Sequence, residues 1–186
     1  MKIAAMTLMA AMMGVAAEPR QPQQKLTVYL RESGHVPPEV RGPAVYLANK
    51  MFATIGIRLD WRRGEPPCGS AQPIFIELAT DTPANLLAGA LGYTMPYEGI
   101  HIRVFYDRIR STAVPSLRAM LLAHVLVHEI AHVLQGIYRH SDSGVMKAVW
   151  TDRDYLQMRT EGLPFTPEDV TLIHLGLASR PSTPAR

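Results

Sequence analysis

Two histidines and a glutamate near the middle of the chain have the types and spacing of a metal site. His128 and His132 lie four positions apart, and Glu129 directly follows the first of them, in the sequence HEIAH. On a helix, side chains four positions apart lie on the same face, with about 5–6 Å between their Cβ atoms. Two imidazoles at that spacing can bind one Zn²⁺ ion at about 2.0–2.1 Å. The spacing therefore predicts a zinc site on His128 and His132.

Glu129 is the predicted general base of this site. It projects about 100° around the helix axis from His128, so it can reach a water on the metal rather than the metal itself. Zinc lowers the pKa of such a water toward about 7, and a carboxylate can take its proton and pass it to a leaving amine. The alternative is a polar cluster without metal. The surrounding helix is apolar on nearly every side, so these buried groups favour a compensating cation.

A third ligand must come from outside this helix, because a catalytic zinc ion usually has three protein ligands and one open position. His140 is the first candidate, since Gly136 can adopt a left-handed turn that ends the helix and returns the chain to the metal. Asp142 and Glu161 are the alternatives. His124 shares the helix face, but eight residues of helix rise about 12 Å. We therefore expect His124 to lie in the core or behind the ligands.

The segment from His128 to Met146 resembles the metzincin zinc peptidases, whose active helix reads H-E-x-x-H-x-x-G-x-x-H and is followed by a methionine turn. The matching residues are His128, Glu129, His132, Gly136, His140 and Met146. The glycine and the third histidine fall four and eight positions after His132, where the family pattern has three and six. One residue is therefore added on each side of Gly136.

Two further segments are similar to the matrixin subgroup of that family. They are His140-Ser141 followed by Val145-Met146, and the stretch from Leu91 to His101. The likeness covers residues 124–150 closely and residues 26–150 loosely, and the chain also looks like small exported bacterial zinc-protease-like proteins. It implies zinc ligation by the three histidines, with Met146 in a structural turn beneath the metal. It also implies an extended substrate that pairs with an edge strand of the sheet.

Other roles remain open at this point. Tyr138, Tyr155 and His174 are candidates for stabilising the oxyanion, although packing or surface positions suit them equally. Matrixins carry a pro-segment cysteine that caps the zinc, and Cys68 is the one thiol here. We expect Cys68 to be a lone loop thiol.

The elements that must position these residues follow from hydrophobic periodicity. Helices are predicted over residues 38–54, 115–135 and 166–177, the last with Thr166 as its N-cap and Pro167 at its first position. Strands are predicted over residues 26–30, 57–61, 74–78 and 101–106, with a loop over 64–73 and a long connection over 80–99. The predicted class is α+β and zincin-like: a twisted mixed sheet of about four to five strands over a central active-site helix, with a C-terminal helix.

Composition limits the alternatives. The chain has 186 residues, of which 47% are hydrophobic and 19% charged, so it can form one ordinary core. Wholesale disorder and a coiled coil are excluded. A single cysteine excludes an internal disulfide and a multi-cysteine zinc site. The net charge of +3 does not indicate a nucleic-acid partner, and we expect a monomer.

The first seventeen residues have the layout of a secretory signal, with one lysine, an apolar run and a small-residue end. We therefore predict a signal peptide over residues 1–17, a single domain over 18–178 and a disordered tail over 179–186. The protein would be exported to the periplasm or outside the cell, without stable membrane insertion after the signal is removed. An uncleaved anchor is the alternative.

These features together predict an exported zinc-dependent endopeptidase that acts on a peptide or protein substrate. Two other functions would use the same site. One is a zinc-binding protein with this fold and no catalysis, which Glu129 argues against because a structural site does not need that acid. The other is a zinc amidase acting on cell-wall peptide.

Overall fold

The computed structural model describes residues 24–64, 66, 72–84, 86–95 and 98–180. Within them, five strands form one sheet: β1 (Gln24–Glu32), β2 (Ile57–Arg62), β3 (Ile74–Ala79), β4 (Gly92–Thr94) and β5 (His101–Phe105). Their order across the sheet is β2-β1-β3-β5-β4. The neighbours β2, β1, β3 and β5 run parallel, whereas β4 pairs antiparallel with β5 at the edge. The predicted mixed sheet is confirmed.

In the described part of the chain, five helices accompany the sheet: α1 (Pro38–Ala53), α2 (Tyr106–Thr112), α3 (Arg118–Gln135), α4 (Asp152–Met158) and α5 (Pro167–Ser179). The central helix is α3, which packs against α1, α5 and the strands β4 and β5. At Gly176, α5 approaches α3 so closely that a Cβ atom would collide with the carbonyl of Leu134. The predicted α+β class, with a central helix under the sheet and a C-terminal helix, is confirmed.

The core lies between the sheet and α1 and α3. Alternate strand residues point toward these helices and are almost fully buried: Leu26, Val28, Ile74, Ile76, Ile102 and Val104. Residues 115–135 are long and apolar enough to cross a membrane, but 72% of the apolar window is buried inside the domain. We therefore interpret α3 as the core helix of the domain.

Several predicted boundaries were wrong. The predicted connection over residues 80–99 contains β4, which is three residues long and starts with a glycine. The predicted strand over 101–106 ends at Phe105, because the chain turns into α2 at Tyr106. Residues 115–117 form a 3₁₀ turn, and α3 itself begins at Arg118.

The C-terminal third of the structure differs from the prediction in two places. The segment between α3 and α5, which carried no predicted element, contains α4, whose first turn is closed by a capping box between Thr151 and Asp154. Helix α5 continues through Ser179, the first residue of the predicted tail. Its predicted N-cap is confirmed, since Thr166 accepts a hydrogen bond from the Asp169 amide.

The predicted signal peptide over residues 1–17, Cys68 and residues 181–186 of the predicted tail lie outside the described residues. These interpretations stay predictions.

Candidate metal centre

Helix α3 carries the first half of the site. His128, Glu129 and His132 lie in its second half, and neighbouring apolar side chains are buried on nearly all sides of the helix. The helix ends at Gln135 because Gly136 adopts a left-handed conformation with φ 67° and ψ 12°. The Gly136 amide still donates to the His132 carbonyl at 3.0 Å. The chain then turns back and brings His140 to the side of α3 that carries His128 and His132.

Three imidazole nitrogens converge at this point. The Nε2 atom of His132 lies 3.0 Å from that of His128 and 3.3 Å from that of His140. Ligand atoms at about 2.0–2.1 Å from a tetrahedral zinc ion are about 3.3 Å apart. The spacing of the three nitrogens therefore suits one tetrahedral metal ion, and the cluster could hold it with one position left open.

The protonation of the histidines also suits a metal. His128 donates its Nδ1–H to the Val145 carbonyl at 2.8 Å, which leaves its Nε2 lone pair for a cation. Burial lowers the pKa of His128 to about 4. Burial, together with repulsion from the two neighbouring imidazoles, lowers that of His132 to about 3, and burial also lowers the pKa of His140. Near neutral pH all three rings are uncharged, as metal ligation requires.

Glu129 lies beside this cluster and is only 7% exposed. Burial raises the pKa of its carboxyl group to about 8. A cation on the adjacent histidines would favour the carboxylate and lower that pKa again. The charge of Glu129 would therefore depend on whether a cation is bound to the histidines beside it.

The loop after His140 forms a turn that packs against the histidine cluster. The Ser141 amide donates to the Met146 carbonyl at 2.8 Å, and the Val145 amide donates to the Pro164 carbonyl at 2.9 Å. Met146 is fully buried. Because the Val145 carbonyl also accepts from His128, this turn fixes the orientation of a candidate ligand, which is how outer partners orient metal-binding histidines.

The position of His140 is fixed by Asp169, a fully buried residue of α5. The residues on both sides of His140 donate to the Asp169 carboxylate: Ser141 Oγ at 2.6 Å and Arg139 Nη1 at 3.0 Å. Thr166 adds its amide at 3.0 Å and its hydroxyl at 2.7 Å. Burial alone would raise the pKa of Asp169, but the hydrogen bonds from Ser141, Thr166 and Arg139 hold it below its ordinary value. A helix about thirty positions away thus anchors the loop that presents the third histidine.

We expect Asp169→Ala to destabilise the protein by about 2–4 kcal/mol, because it removes the charged acceptor of Ser141, Thr166 and Arg139, and a hydrogen bond to a charged group contributes about 1.5–3 kcal/mol. Zinc affinity should fall as well, since the loop of His140 loses its anchor. Urea unfolding and zinc titration measure the two effects. The control is Glu168→Ala, which removes the exposed partner of Arg139 and should cost less than about 1 kcal/mol. Equal losses for the two variants would contradict the anchoring role of Asp169.

A cleft of about 500 Å³ runs over the candidate metal centre. Residues 87–94, including the edge strand β4, form one wall, and residues 147–150 together with Tyr155 form the other. Val125 and the two helix histidines line the floor, and Tyr138 stacks on His132 with ring centroids 5.6 Å apart. The cleft therefore exposes the cluster of three histidines, a carboxyl group and a free strand edge to the same open space.

The other predicted candidates lie outside the histidine cluster, and two of them line the cleft above it. Asp142 and Glu161 are exposed, and neither belongs to the cluster of possible metal ligands found among the described residues. His124 lies in the core, where its Nδ1 donates to the Met120 carbonyl at 2.8 Å and its Nε2 accepts from the Leu163 amide at 3.1 Å. His174 lies outside the cleft, with ring nitrogens 3.1 Å from Gln24 Oε1 and 2.9 Å from the Ile55 carbonyl. Of the three oxyanion candidates, Tyr138 and Tyr155 line the cleft.

Three features of the site were not predicted from the sequence. Asp169 was not identified as an anchor, although the Thr166–Asp169 spacing marked a helix start. The wall at Trp150, whose ring packs edge-on against His128 at 5.7 Å, was not identified either. The Thr151–Asp154 capping box was a readable signal for the helix beside this wall. No role was assigned to Gly92, which lies directly against the Glu129 side chain.

Comparison with known proteins agrees with the fold. No protein-family model matches the sequence, and no curated protein does either. Among solved structures, the chain is similar to archaemetzincin from Methanopyrus kandleri, with a TM-score of 0.57 and 17% sequence identity. The match covers 87% of this chain and 99% of the other. The resemblance in sequence to metzincins thus has a counterpart in the three-dimensional fold.

Proposed function

We propose that this protein is a zinc-dependent endopeptidase, with His128, His132 and His140 as zinc ligands and Glu129 as the general base. The observation that carries the proposal is the convergence of three uncharged imidazoles beside a buried carboxyl group, under an open cleft. A site that serves only stability is usually closed by a fourth protein ligand. Among the described residues, the cluster has three ligands and opens into the cleft.

The chain's own residues have separate tasks in this reaction. The exposed edge of β4 offers backbone groups with which an extended peptide can pair as an added strand. A zinc ion held by His128, His132 and His140 would supply a water nucleophile at neutral pH and would polarise the scissile carbonyl. Glu129 takes the proton of the attacking water and delivers it to the leaving amine. The turn through Val145 and Met146 keeps His128 oriented throughout.

The cleft favours neutral and apolar substrate side chains. Its walls consist mainly of leucine, valine, alanine and aromatic residues. Apart from Glu129 and the histidines, the charged residue on the described lining is Lys147, which forms an ion pair with Asp154. A charged substrate side chain would therefore find little compensation there.

Removal of the metal tests the proposed activity. We expect the purified protein to cleave an unfolded protein substrate, to lose that activity after dialysis against a chelator, and to recover it with one equivalent of Zn²⁺. Cleavage sites are read by mass spectrometry, and a cell-wall peptide is assayed in parallel. Hydrolysis of the cell-wall peptide alone would favour the amidase alternative. Zinc binding without hydrolysis of either substrate would favour the non-catalytic alternative.

Export belongs to the same proposal and is supported by residues 1–17, whose lysine, apolar run and small-residue end are typical of a secretory signal. The substrate would then be a peptide or protein met in the periplasm or outside the cell.

A further inference from the structure

The edge strand β4 passes very close to Glu129 at Gly92. A Cβ atom built on Gly92 would lie 2.6 Å from Glu129 Oε1 and 2.8 Å from both its Cδ and its Cγ. All three distances are shorter than the separation of non-bonded atoms, which is about 3.5–4.0 Å between carbons. Any side chain at position 92 would therefore occupy the space that Glu129 now fills.

The backbone of Gly92 does not itself require glycine. Gly92 is a strand residue and is not among the glycines with positive φ, so alanine could adopt its conformation. Glycine inside a strand is intrinsically less favourable than alanine, and it often marks a place where another group approaches closely. The three atoms nearest the built Cβ all belong to Glu129, so the requirement for glycine here comes from that side chain.

Strand β4 is held too firmly to move away from a larger residue. Gly92 and Thr94 pair with Val104 and Ile102 of β5, and Thr94 Oγ1 donates to the His101 carbonyl at 3.1 Å. On the other side, the Phe105 amide donates to the Leu91 carbonyl at 2.9 Å. With β4 fixed on both sides of Gly92, an added Cβ atom would displace Glu129 instead.

A rotation of the carboxylate would not relieve this contact. The Cγ atom of Glu129, which lies next to its Cβ, is as close to the built atom as the carboxyl carbon. The whole side chain would have to leave its present rotamer. Its carboxyl group would then leave the position beside His128 and His132.

We propose that Gly92 is a positioning residue. Because it has no side chain, it leaves a space, the seat of Glu129, in which the Glu129 carboxyl group lies beside the three histidines. The catalytic consequence rests on the proposed peptidase function, whereas the contact itself does not. Gly92 acts through Glu129 and touches neither metal nor substrate in this role.

The test is the Gly92→Ala variant in the full chain, made in the wild type and in Glu129→Ala. With the wild-type glutamate, we expect one zinc per chain, a KM within about twofold, and a kcat reduced about a hundredfold, the loss typical of a reacting group misplaced by about 1 Å. The urea midpoint should fall. In the Glu129→Ala background the space is empty, so the same substitution should leave the midpoint unchanged or raise it.

The matched control is Gly42→Ala, because Gly42 lies in α1 and, apart from its chain neighbours and the backbone of its own helix, nothing lies within 4 Å of its built Cβ. Gly42 is absent from the lining of the cleft, so that variant should keep its kcat. An unchanged kcat in Gly92→Ala, or an equal fall of the midpoint in both backgrounds, would overturn the proposal. If Gly92→Ala does not fold, the double variant should fold, and its failure to do so would also count against the contact. If the wild type itself hydrolyses no peptide, the peptidase function fails, while the midpoints still decide the contact.

Discussion

Glu129→Gln is expected to lower kcat/KM for peptide hydrolysis by about 10²–10⁴, the usual contribution of a general base. The amide has nearly the same shape as the carboxyl group and fits the same seat under β4. It cannot accept a proton from the attacking water. The three histidines are untouched, so zinc content should stay at one per chain. Steady-state kinetics and elemental analysis of the same preparation measure both quantities.

A matched control for this variant is Glu161→Gln. Glu161 is exposed and is absent from the lining of the cleft, so its loss should leave kcat/KM within about twofold. If Glu129→Gln kept its activity, Glu129 would not be the base and the assigned mechanism would be wrong. If it lost zinc as well, the fall in activity would follow from the loss of metal and would not support Glu129 as the base.

The second large effect is expected for His140→Ala, which should weaken zinc binding by more than about a hundredfold. Loss of an outer partner of a ligand already costs about 10–100-fold in metal affinity, and His140 is placed as a ligand itself. Its Nε2 lies 3.3 Å from that of His132, so its removal leaves only the two helix histidines. Competition with a fluorescent zinc chelator measures the affinity.

Asp142→Ala and Glu161→Ala serve as controls for the third ligand. Both acids were alternatives on sequence grounds, and both lie exposed outside the cluster. We expect both variants to bind zinc like the wild type. Retention of zinc by His140→Ala, together with its loss in either acidic variant, would move the third ligand to that acid.

Hydrophobic periodicity was sufficient for the long elements of the fold. The strands β1, β2, β3 and β5 and the helices α1, α3 and α5 each have a regular apolar pattern, and α5 also has a clear cap at Thr166. The short elements were missed for a physical reason. Strand β4 has three residues and begins with glycine, so its conformation comes from pairing with β5 rather than from its own sequence.

Helix α2 was missed because Phe105 and Tyr106 continue the aromatic, strand-like pattern of β5. The chain turns into a helix between these two residues although both favour strands. Packing against the rest of the protein can override the local preference for strand or helix, so propensity did not decide this boundary.

Part of the candidate site was predictable and part was not. The H-E-x-x-H spacing places His128, Glu129 and His132 through helix geometry alone. The choice of His140 over Asp142 depends on the path of the loop, which Asp169 fixes from a distant helix. The seat at Gly92 depends on how β4 lies over α3. Contacts between segments distant in sequence are not encoded in local spacing.

The most direct test of the zinc centre is X-ray absorption at the zinc edge of the loaded wild-type protein. We expect one zinc per chain, with three imidazole nitrogens at about 2.0–2.1 Å and one further light atom from solvent in the open position. A fourth imidazole, a sulfur at about 2.3 Å, or failure to bind zinc at all would contradict a catalytic centre on His128, His132 and His140.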